Sequence, residues 1–121
     1  HEAIAKDSFD FLRETNELYQ LIILDPPAFA KNARSVPNAA RGYKDLNYQC
    51  FKKIDKGGIV FTFSCSQNID KTLFRKIVFS AAADAKRNVQ VLHQLTQPID
   101  HPISIYHPEG EYLKGLVLRV E

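Results

Sequence analysis

The stretch Leu21-Ile22-Ile23-Leu24-Asp25-Pro26-Pro27 decides the fold class of this 121-residue chain. A continuous apolar run is typical of a parallel strand that is buried on both faces, and the two prolines break the strand abruptly. A second run, Ile59-Val60-Phe61-Thr62-Phe63, leads into Ser64-Cys65-Ser66. The first run therefore predicts a central parallel strand, and the second predicts a buried strand that ends in a small polar loop.

The segment between the two runs predicts an amphipathic helix. After a loop from Ala28 to Pro37, apolar residues recur every three to four positions from Ala40 to Ile54, and Gly57-Gly58 ends the pattern. The crossover of such a βαβ unit is right-handed in nearly all proteins, so both strands end at the same edge of the sheet. If the strands are neighbours or one strand apart, Asp25 and Cys65 can face one pocket there.

The remaining segments complete an α/β pattern. Asp7 or Ser8 is suited to cap a first helix that runs toward Leu18. Downstream, the sequence predicts a helix from about Asp70 to Ala85, a strand over Val89–Leu95, a connection over Pro98–Gly110, and a last, antiparallel strand over Tyr112–Val120.

Length and composition limit the classes of protein to consider. With 121 residues, 45% of them apolar, the chain has the size of one domain with a modest core. Neither a membrane span nor a secretion signal is recognisable. The two cysteines lie outside any disulfide or zinc pattern, so we expect a soluble cytoplasmic protein without a metal site. The chain begins with His1 and has no methionine, so we expect a piece of a longer protein.

Positive charge is concentrated in one segment. The formal net charge is +2, but Lys31 to Lys56 holds seven basic and two acidic residues. Two interpretations stay open: the segment contacts nucleic-acid phosphates, or it is the solvated face of a helix.

Five positions near the predicted strand ends are candidates for chemistry. Cys65 is either a nucleophile or a small buried residue, and Asp25 is either its functional partner or a strand stop that caps the turn. Pro26-Pro27 removes two backbone donors and leaves carbonyl groups suited to the amino edge of a base. Phe29 either stacks on an extruded base or makes a hydrophobic lid contact. Cys50, on the apolar stripe of the helix, is expected to pack in the core.

Several motifs together resemble a known family. LIILDPPAFAK, RGYKDLN, GGIVFTFSCS, DHP and EYLKG are similar to the C-terminal part of class I S-adenosylmethionine-dependent RNA methyltransferases. The resemblance is greatest to the family that forms 5-methylcytosine in bacterial 23S ribosomal RNA, whose full-length members carry an N-terminal PUA domain. It extends from Asp7 to Val120. It implies the C-terminal half of a Rossmann-like fold, with a mostly parallel sheet and an antiparallel last strand.

The resemblance also assigns roles to individual residues. It implies that S-adenosylmethionine is held by Asp7, Ser8, Asp25 and Pro26, that Cys65 is the nucleophile and that Asp25 assists it. The substrate contacts that we predict are Pro27, Phe29, Lys31, Ser64, Ser66 and Lys114. Lys114 lies in EYLKG, and the alternative for it is to cap or solvate a strand end.

The implied reaction explains why a thiol is needed. C5 of cytosine is too weak a nucleophile to accept a methyl group unaided, and addition of a thiolate to C6 activates it. The substrate would be ribosomal RNA, with the target base unstacked from its neighbours.

The chain lacks one part of the implied fold. It has no glycine-rich loop after a first strand and no acidic residue at the end of a second, which would hold the rest of the cofactor. We therefore expect weak or no cofactor binding by these residues alone, an uncovered edge at Leu21–Leu24, and self-association, as in a homodimer.

Two alternatives to this function stay open. One is a methyltransferase that acts on a purine or an exocyclic amine, in which Cys65 is incidental. The other is a non-catalytic RNA-binding module.

Overall fold

The computed structural model describes all residues from 1 to 121. The helices and strands follow the α/β pattern that the sequence predicts. In chain order they are α1 (Ser8–Glu14), β1 (Tyr19–Leu24), α2 (Val36–Lys53), β2 (Ile54–Ser64), α3 (Lys71–Asp84), β3 (Val89–Leu95) and β4 (Lys114–Val120), with short 3-10 helices at Ala33–Ser35 and Pro108–Gly110.

The four strands form one sheet in the order β1-β2-β4-β3. β1 pairs parallel with β2, and β4 runs antiparallel between β2 and β3. Three strands therefore point in one direction and the last strand is inserted against them. This arrangement confirms the predicted βαβ unit and the antiparallel last strand.

One face of the sheet carries the helices and the core. Along the second half of β2, Val60, Thr62 and Ser64 are buried, whereas the residues between them, such as Phe61, are only partly covered. The largest fully buried side chains are Tyr43, Phe51 and Phe74. Cys50 is fully buried in this core, as expected. No helix combines the length and the apolar character that crossing a bilayer requires.

The prediction of a central first strand is wrong for this chain, because β1 lies at one edge of the sheet. Leu21 and Ile23 are 54% and 62% exposed, while Leu24 is buried. A continuous apolar run encodes a strand with layers on both faces, but residues 1–121 cover one face only. The expected uncovered edge and apolar face are therefore present.

Element boundaries differ from the predicted ones at four places. α1 ends at Glu14, well before Leu18, and α2 begins at Val36, so that Pro37 lies in its first turn, where a missing N–H costs nothing. Gly57-Gly58 does not end the helix but lies within β2, where the register shifts between the pairs Tyr19↔Ile54 and Leu21↔Ile59. Gly57 takes a φ of 81° there, a conformation that favours glycine. The last strand begins at Lys114, two residues later than predicted.

The hydroxyl of Thr62 gives a test of the core. Its Oγ1 atom is buried and has no hydrogen-bond partner. Because an unpaired buried hydroxyl is costly, we expect Thr62→Val to raise the free energy of unfolding by about 1 kcal/mol. Urea denaturation measures the change. Thr62→Ser, which keeps the hydroxyl and removes the methyl group, is the matched control and should destabilise the protein. A destabilised Thr62→Val variant would show that the buried hydroxyl is not costly.

Candidate functional site

The ends of β1 and β2 and the start of β4 meet at one edge of the sheet. Leu24, the last residue of β1, pairs with Thr62 in β2, and Ser64, the last residue of β2, pairs with Lys114 in β4. The loops that begin at Asp25 and Cys65 therefore leave neighbouring strands on the same side. This confirms the predicted shared edge, which is where open α/β sheets bind ligands.

A cleft of about 340 Å³ lies at this edge between the start of α1 and the loop after β1. Six of the predicted site residues line it, including all four that are predicted to hold the cofactor. They are Asp7, Ser8, Asp25, Pro26, Pro27 and Phe29, and the other lining residues are Phe9, Ile23, Leu24 and Leu46.

Asp7 has a structural role and a free acceptor. Its Oδ1 atom accepts hydrogen bonds from the backbone N–H groups of Phe9 (2.9 Å) and Asp10 (3.2 Å), which makes Asp7, not Ser8, the N-cap of α1. Its Oδ2 atom accepts no hydrogen bond within the chain. The carboxylate can therefore cap the helix and still accept a hydrogen bond from a ligand in the cleft.

Asp25 has no partner of its own in the protein. Its carboxylate is exposed and takes part in no hydrogen bond or ion pair with another residue. The strand stops directly before Asp25, as one interpretation has it, but the side chain does not cap the turn. Because both of its oxygens face solvent in a cleft, Asp25 offers an unsatisfied acceptor to a ligand.

Phe29 connects the loop after β1 to α2. Its ring centroid lies 4.6 Å from that of Tyr43 and 6.1 Å from that of Phe9. A Cβ atom on Gly42 would come within 3.3 Å of the Phe29 ring, so the glycine in the middle of α2 lets the ring approach the helix. The hydrophobic contact foreseen for Phe29 exists, and part of the side chain still lines the cleft.

Ser66 connects this loop to the one after β2. Its Oγ atom accepts a hydrogen bond from the Ala30 N–H (3.3 Å) and shares one of 2.8 Å with the Tyr43 hydroxyl. The hydroxyl of Ser64 accepts from the Ser66 N–H (3.3 Å). Both serines are buried, and their hydroxyls are used within the protein. Tyr43 could not be singled out from the sequence as a site residue, because it falls on the apolar stripe of α2.

The two cysteines differ in access. Cys50 is fully buried, and burial raises the pKa of its thiol to about 12, so it stays protonated and inert at neutral pH. Cys65 is partly exposed, which argues against the interpretation of a space-filling core residue. Cys65 does not line the cleft that holds Asp25.

Lys114 does not solvate the end of its strand. The side chain is buried, and its Nζ atom donates a 2.5 Å hydrogen bond to the backbone oxygen of Ser66. Burial lowers the pKa of Lys114, while negative charge on Cys65 and Asp70 acts in the opposite direction.

The basic segment does not form a single patch. α2 has 18 residues, which at about 1.5 Å per residue span about 27 Å. The helix begins at the edge with the cleft and ends at the opposite edge, so Lys31 and the far group of Lys52, Lys53 and Lys56 lie at different ends. Lys53 donates to the Thr15 carbonyl oxygen. The basic residues therefore do not share one surface, and Lys31 is an exposed residue of the segment on the cleft side.

Comparison with known sequences finds relatives that share one name. No protein-family model matches the chain. Proteins named ribosomal RNA large subunit methyltransferase I are 49% identical over 117 residues in Tolumonas auensis and 48% identical over 123 residues in Shewanella denitrificans. The matches cover 94% and 99% of this chain. The chain spans about 30% of the length of these relatives.

Comparison with solved structures establishes the fold. SMU.776, solved in complex with SAH, matches 92% of this chain with a TM-score of 0.72 and 24% identity, over 28% of its own length. Trm5b from Pyrococcus abyssi matches 90% of this chain with a TM-score of 0.60 and 14% identity, over 27% of its own length. The chain has the Rossmann-like α/β fold of these proteins, as the sequence predicts.

The different hydrogen bonding of Asp7 and Asp25 predicts different effects on stability. Asp7→Ala removes the cap of α1 and should lower the free energy of unfolding by about 1 kcal/mol. Asp25→Asn removes a carboxylate without an internal partner and should change it by less than about 0.5 kcal/mol. Urea denaturation of both variants checks the contrast, with Asp7→Ser, which restores a capping oxygen, as the control. Equal losses for Asp7→Ala and Asp25→Asn would show that Asp25 is a structural residue after all.

Proposed function

We propose that this chain is the C-terminal part of an RNA methyltransferase that transfers a methyl group from S-adenosylmethionine to C5 of a cytosine in ribosomal RNA. The observation that carries the proposal is the strand-end cleft, which the unpartnered carboxylate of Asp25 lines together with Asp7 and Pro26-Pro27. The accessible thiol of Cys65 begins the loop on the neighbouring strand. The relatives named ribosomal RNA large subunit methyltransferase I support the choice of substrate.

The residues of the cleft fit the adenosine end of the cofactor. The free Oδ2 atom of Asp7 is suited to accept a hydrogen bond from the adenine amino group, and Ser8 and Pro26 lie on the same cleft. The 121 residues contain no glycine-rich loop that could hold the methionine end. When bound, the cofactor supplies the methyl group. Its remaining contacts would come from other parts of the full-length protein.

Cys65 would activate the base by covalent addition. The thiolate sulfur forms a bond to C6 of cytosine, and the electron pair of the C5–C6 double bond makes C5 nucleophilic. After methylation, C5 loses its proton to solvent, the double bond re-forms and the sulfur–C6 bond breaks, which returns the thiolate. The cycle releases one proton and no electrons, so the protein needs no redox partner.

Asp25 would bind the edge of the same base. A carboxylate without an internal partner can hydrogen-bond the exocyclic amino group of cytosine and stabilise the ring when N3 is protonated during addition. The carbonyl groups of Pro26-Pro27 extend this acceptor surface. This arrangement favours cytosine over uracil, because uracil has a carbonyl group where cytosine has the amino group.

The RNA contacts belong to the same proposal. Lys31 is exposed in the segment that follows Phe29, where it can reach a phosphate, and Pro27 and Phe29 line the cleft at the same edge. Ser64, Ser66 and Lys114, which were also predicted to contact substrate, are buried and bonded within the protein, so they are not part of this proposed RNA contact surface. We also propose that the full-length protein acts in the cytoplasm and carries the N-terminal PUA domain that the resemblance implies. For residues 1–121 alone we propose self-association as a homodimer, which the exposure of Leu21 and Ile23 supports.

One observation favours a second candidate function. Cys65 does not line the cleft that contains Asp25, Pro26, Pro27 and Phe29. A methyltransferase that acts on an exocyclic amine or a purine would need only those four residues to bind its base. In that case Cys65 would be incidental.

Replacing each cysteine in the full-length protein separates these functions. Cys65→Ala should abolish 5-methylcytosine formation, because it removes the thiol that is proposed to add to C6, whereas Cys50→Ala should keep it, because the Cys50 thiol is buried and protonated. Mass spectrometry of nucleosides from treated ribosomal RNA measures the product. Full activity of Cys65→Ala would instead support the amine or purine enzyme.

Cofactor binding by residues 1–121 gives an independent check. Because the cleft holds contacts for only one end of S-adenosylmethionine, isothermal titration calorimetry of this piece should show no binding heat. The full-length protein is the positive control. A micromolar dissociation constant for the piece would mean that the cleft alone is a complete cofactor site.

A further inference from the structure

Ser66 is held by residues from four parts of the chain. Its hydroxyl bonds to Ala30 in the loop after β1 and to Tyr43 in α2, and its backbone oxygen accepts from the Lys114 ammonium in β4 (2.5 Å). The same backbone oxygen also accepts from the N–H of Ile69 (3.1 Å). Ser66 directly follows Cys65, so these contacts restrain the peptide that carries the thiol.

Holding this loop with Lys114 costs free energy, because the ammonium group is buried. Its side chain is 6% exposed, has no ion pair with any carboxylate, and makes one hydrogen bond. Taking an ammonium group out of water without an opposite charge costs free energy, and the lowered pKa of Lys114 reflects that cost. Ser66 already has the N–H of Ile69 as a partner for its backbone oxygen, so folding alone does not require the lysine.

Tyr43 connects the same serine to the cleft. The side chain is fully buried, with its ring 4.6 Å from Phe29, which lines the cleft, and 5.9 Å from Phe74 in the core. Its hydroxyl lies 2.8 Å from the Ser66 hydroxyl. A phenylalanine would fill the same space, so the hydroxyl serves the contact with Ser66.

We infer that Tyr43 and Lys114 are positioning residues that clamp Ser66 from two sides and thereby hold the Cys65 thiol in place for attack on the base. Ser66 also accepts a hydrogen bond from Ala30, which lies in the same loop as Asp25. The clamped Ser66 therefore restrains the thiol relative to the carboxylate. The inference rests on the proposed function for the reaction that it serves. In enzymes, displacing a reacting group by about 1 Å can cost about 100-fold in rate.

The test uses the full-length protein with Tyr43→Phe and Lys114→Met, each of which removes the polar contact and keeps most of the packing. We expect kcat for 5-methylcytosine formation to fall about tenfold or more in each, with KM for RNA changed less than about twofold. Covalent trapping on RNA that contains 5-fluorocytosine should slow by the same factor as kcat, because the clamp acts on the addition step. Thermal stability should fall slightly for Tyr43→Phe, because the buried Ser66 hydroxyl loses a hydrogen-bond partner, and should be unchanged or higher for Lys114→Met.

The control is Thr62→Val, which removes a buried hydroxyl of β2 that has no hydrogen-bond partner. This variant should leave kcat and the rate of covalent trapping unchanged. A rise in KM with kcat unchanged in Lys114→Met would show that Lys114 binds substrate directly. Unchanged kcat and KM in both variants would show that the clamp does not contribute to the reaction. Either result overturns the inference.

Failure of the proposed function gives a different result, namely full product formation by Cys65→Ala. The clamp is then judged by the rate at which iodoacetamide alkylates Cys65 in the two variants, compared with the wild type and with Thr62→Val. A change of about threefold or more supports restraint of the thiol by Ser66, and equal rates overturn it.

Discussion

The parallel pairing of β1 with β2 is the constraint on which the site depends. Because Leu24 pairs with Thr62, the segments that begin at Asp25 and Cys65 leave the sheet side by side in the same direction. Antiparallel pairing would have put them at opposite edges, about the length of a strand apart. α2 makes the parallel arrangement, since its 18 residues return the chain to the other edge before β2 begins. The chemistry at this edge therefore follows from a topology that is fixed by packing far from it.

The two loops must still be held relative to each other, and polar side chains do this inside an apolar core. Ser66 contacts Ala30, Tyr43 and Lys114, and in each case a buried polar group finds its partner in another segment of the chain. Such bonds contribute little net stability but exclude alternative arrangements of the loops, because a shifted loop would leave a buried donor or acceptor unpaired. The buried ammonium of Lys114 goes further, since it carries a desolvation cost that its one hydrogen bond offsets only in part. The loops are thus fixed in place at some expense to stability.

The sequence predicted local features better than features that depend on distant segments. The βαβ unit, the cap at Asp7 and the buried Cys50 follow from residue type and spacing within about 20 positions, and the structure confirms them. The edge position of β1 was not predictable from its apolar run. Such a run is typical of a strand covered on both faces, whereas residues 1–121 cover only one face of β1. The charge sum over Lys31–Lys56 left two interpretations of the basic segment open. A sum does not show that the 18 residues of α2 separate the charges in space. Tyr43 was missed because its ring fits the core pattern and only the fold shows what its hydroxyl contacts.

The incomplete sheet and the incomplete cleft have the same cause. Leu21 and Ile23 are exposed on the same strand whose end carries Asp25, so the apolar surface that needs cover lies directly beside the residues proposed to hold the cofactor. A segment that packs on β1 in the full-length protein would bury these side chains and close the open side of the cleft in the same step. Burying about 100 Å² of apolar surface contributes about 2.5 kcal/mol, which offsets part of the entropy cost of ordering such a segment. In the proposed site, cofactor affinity would then depend on a surface to which residues 1–121 and that segment both contribute.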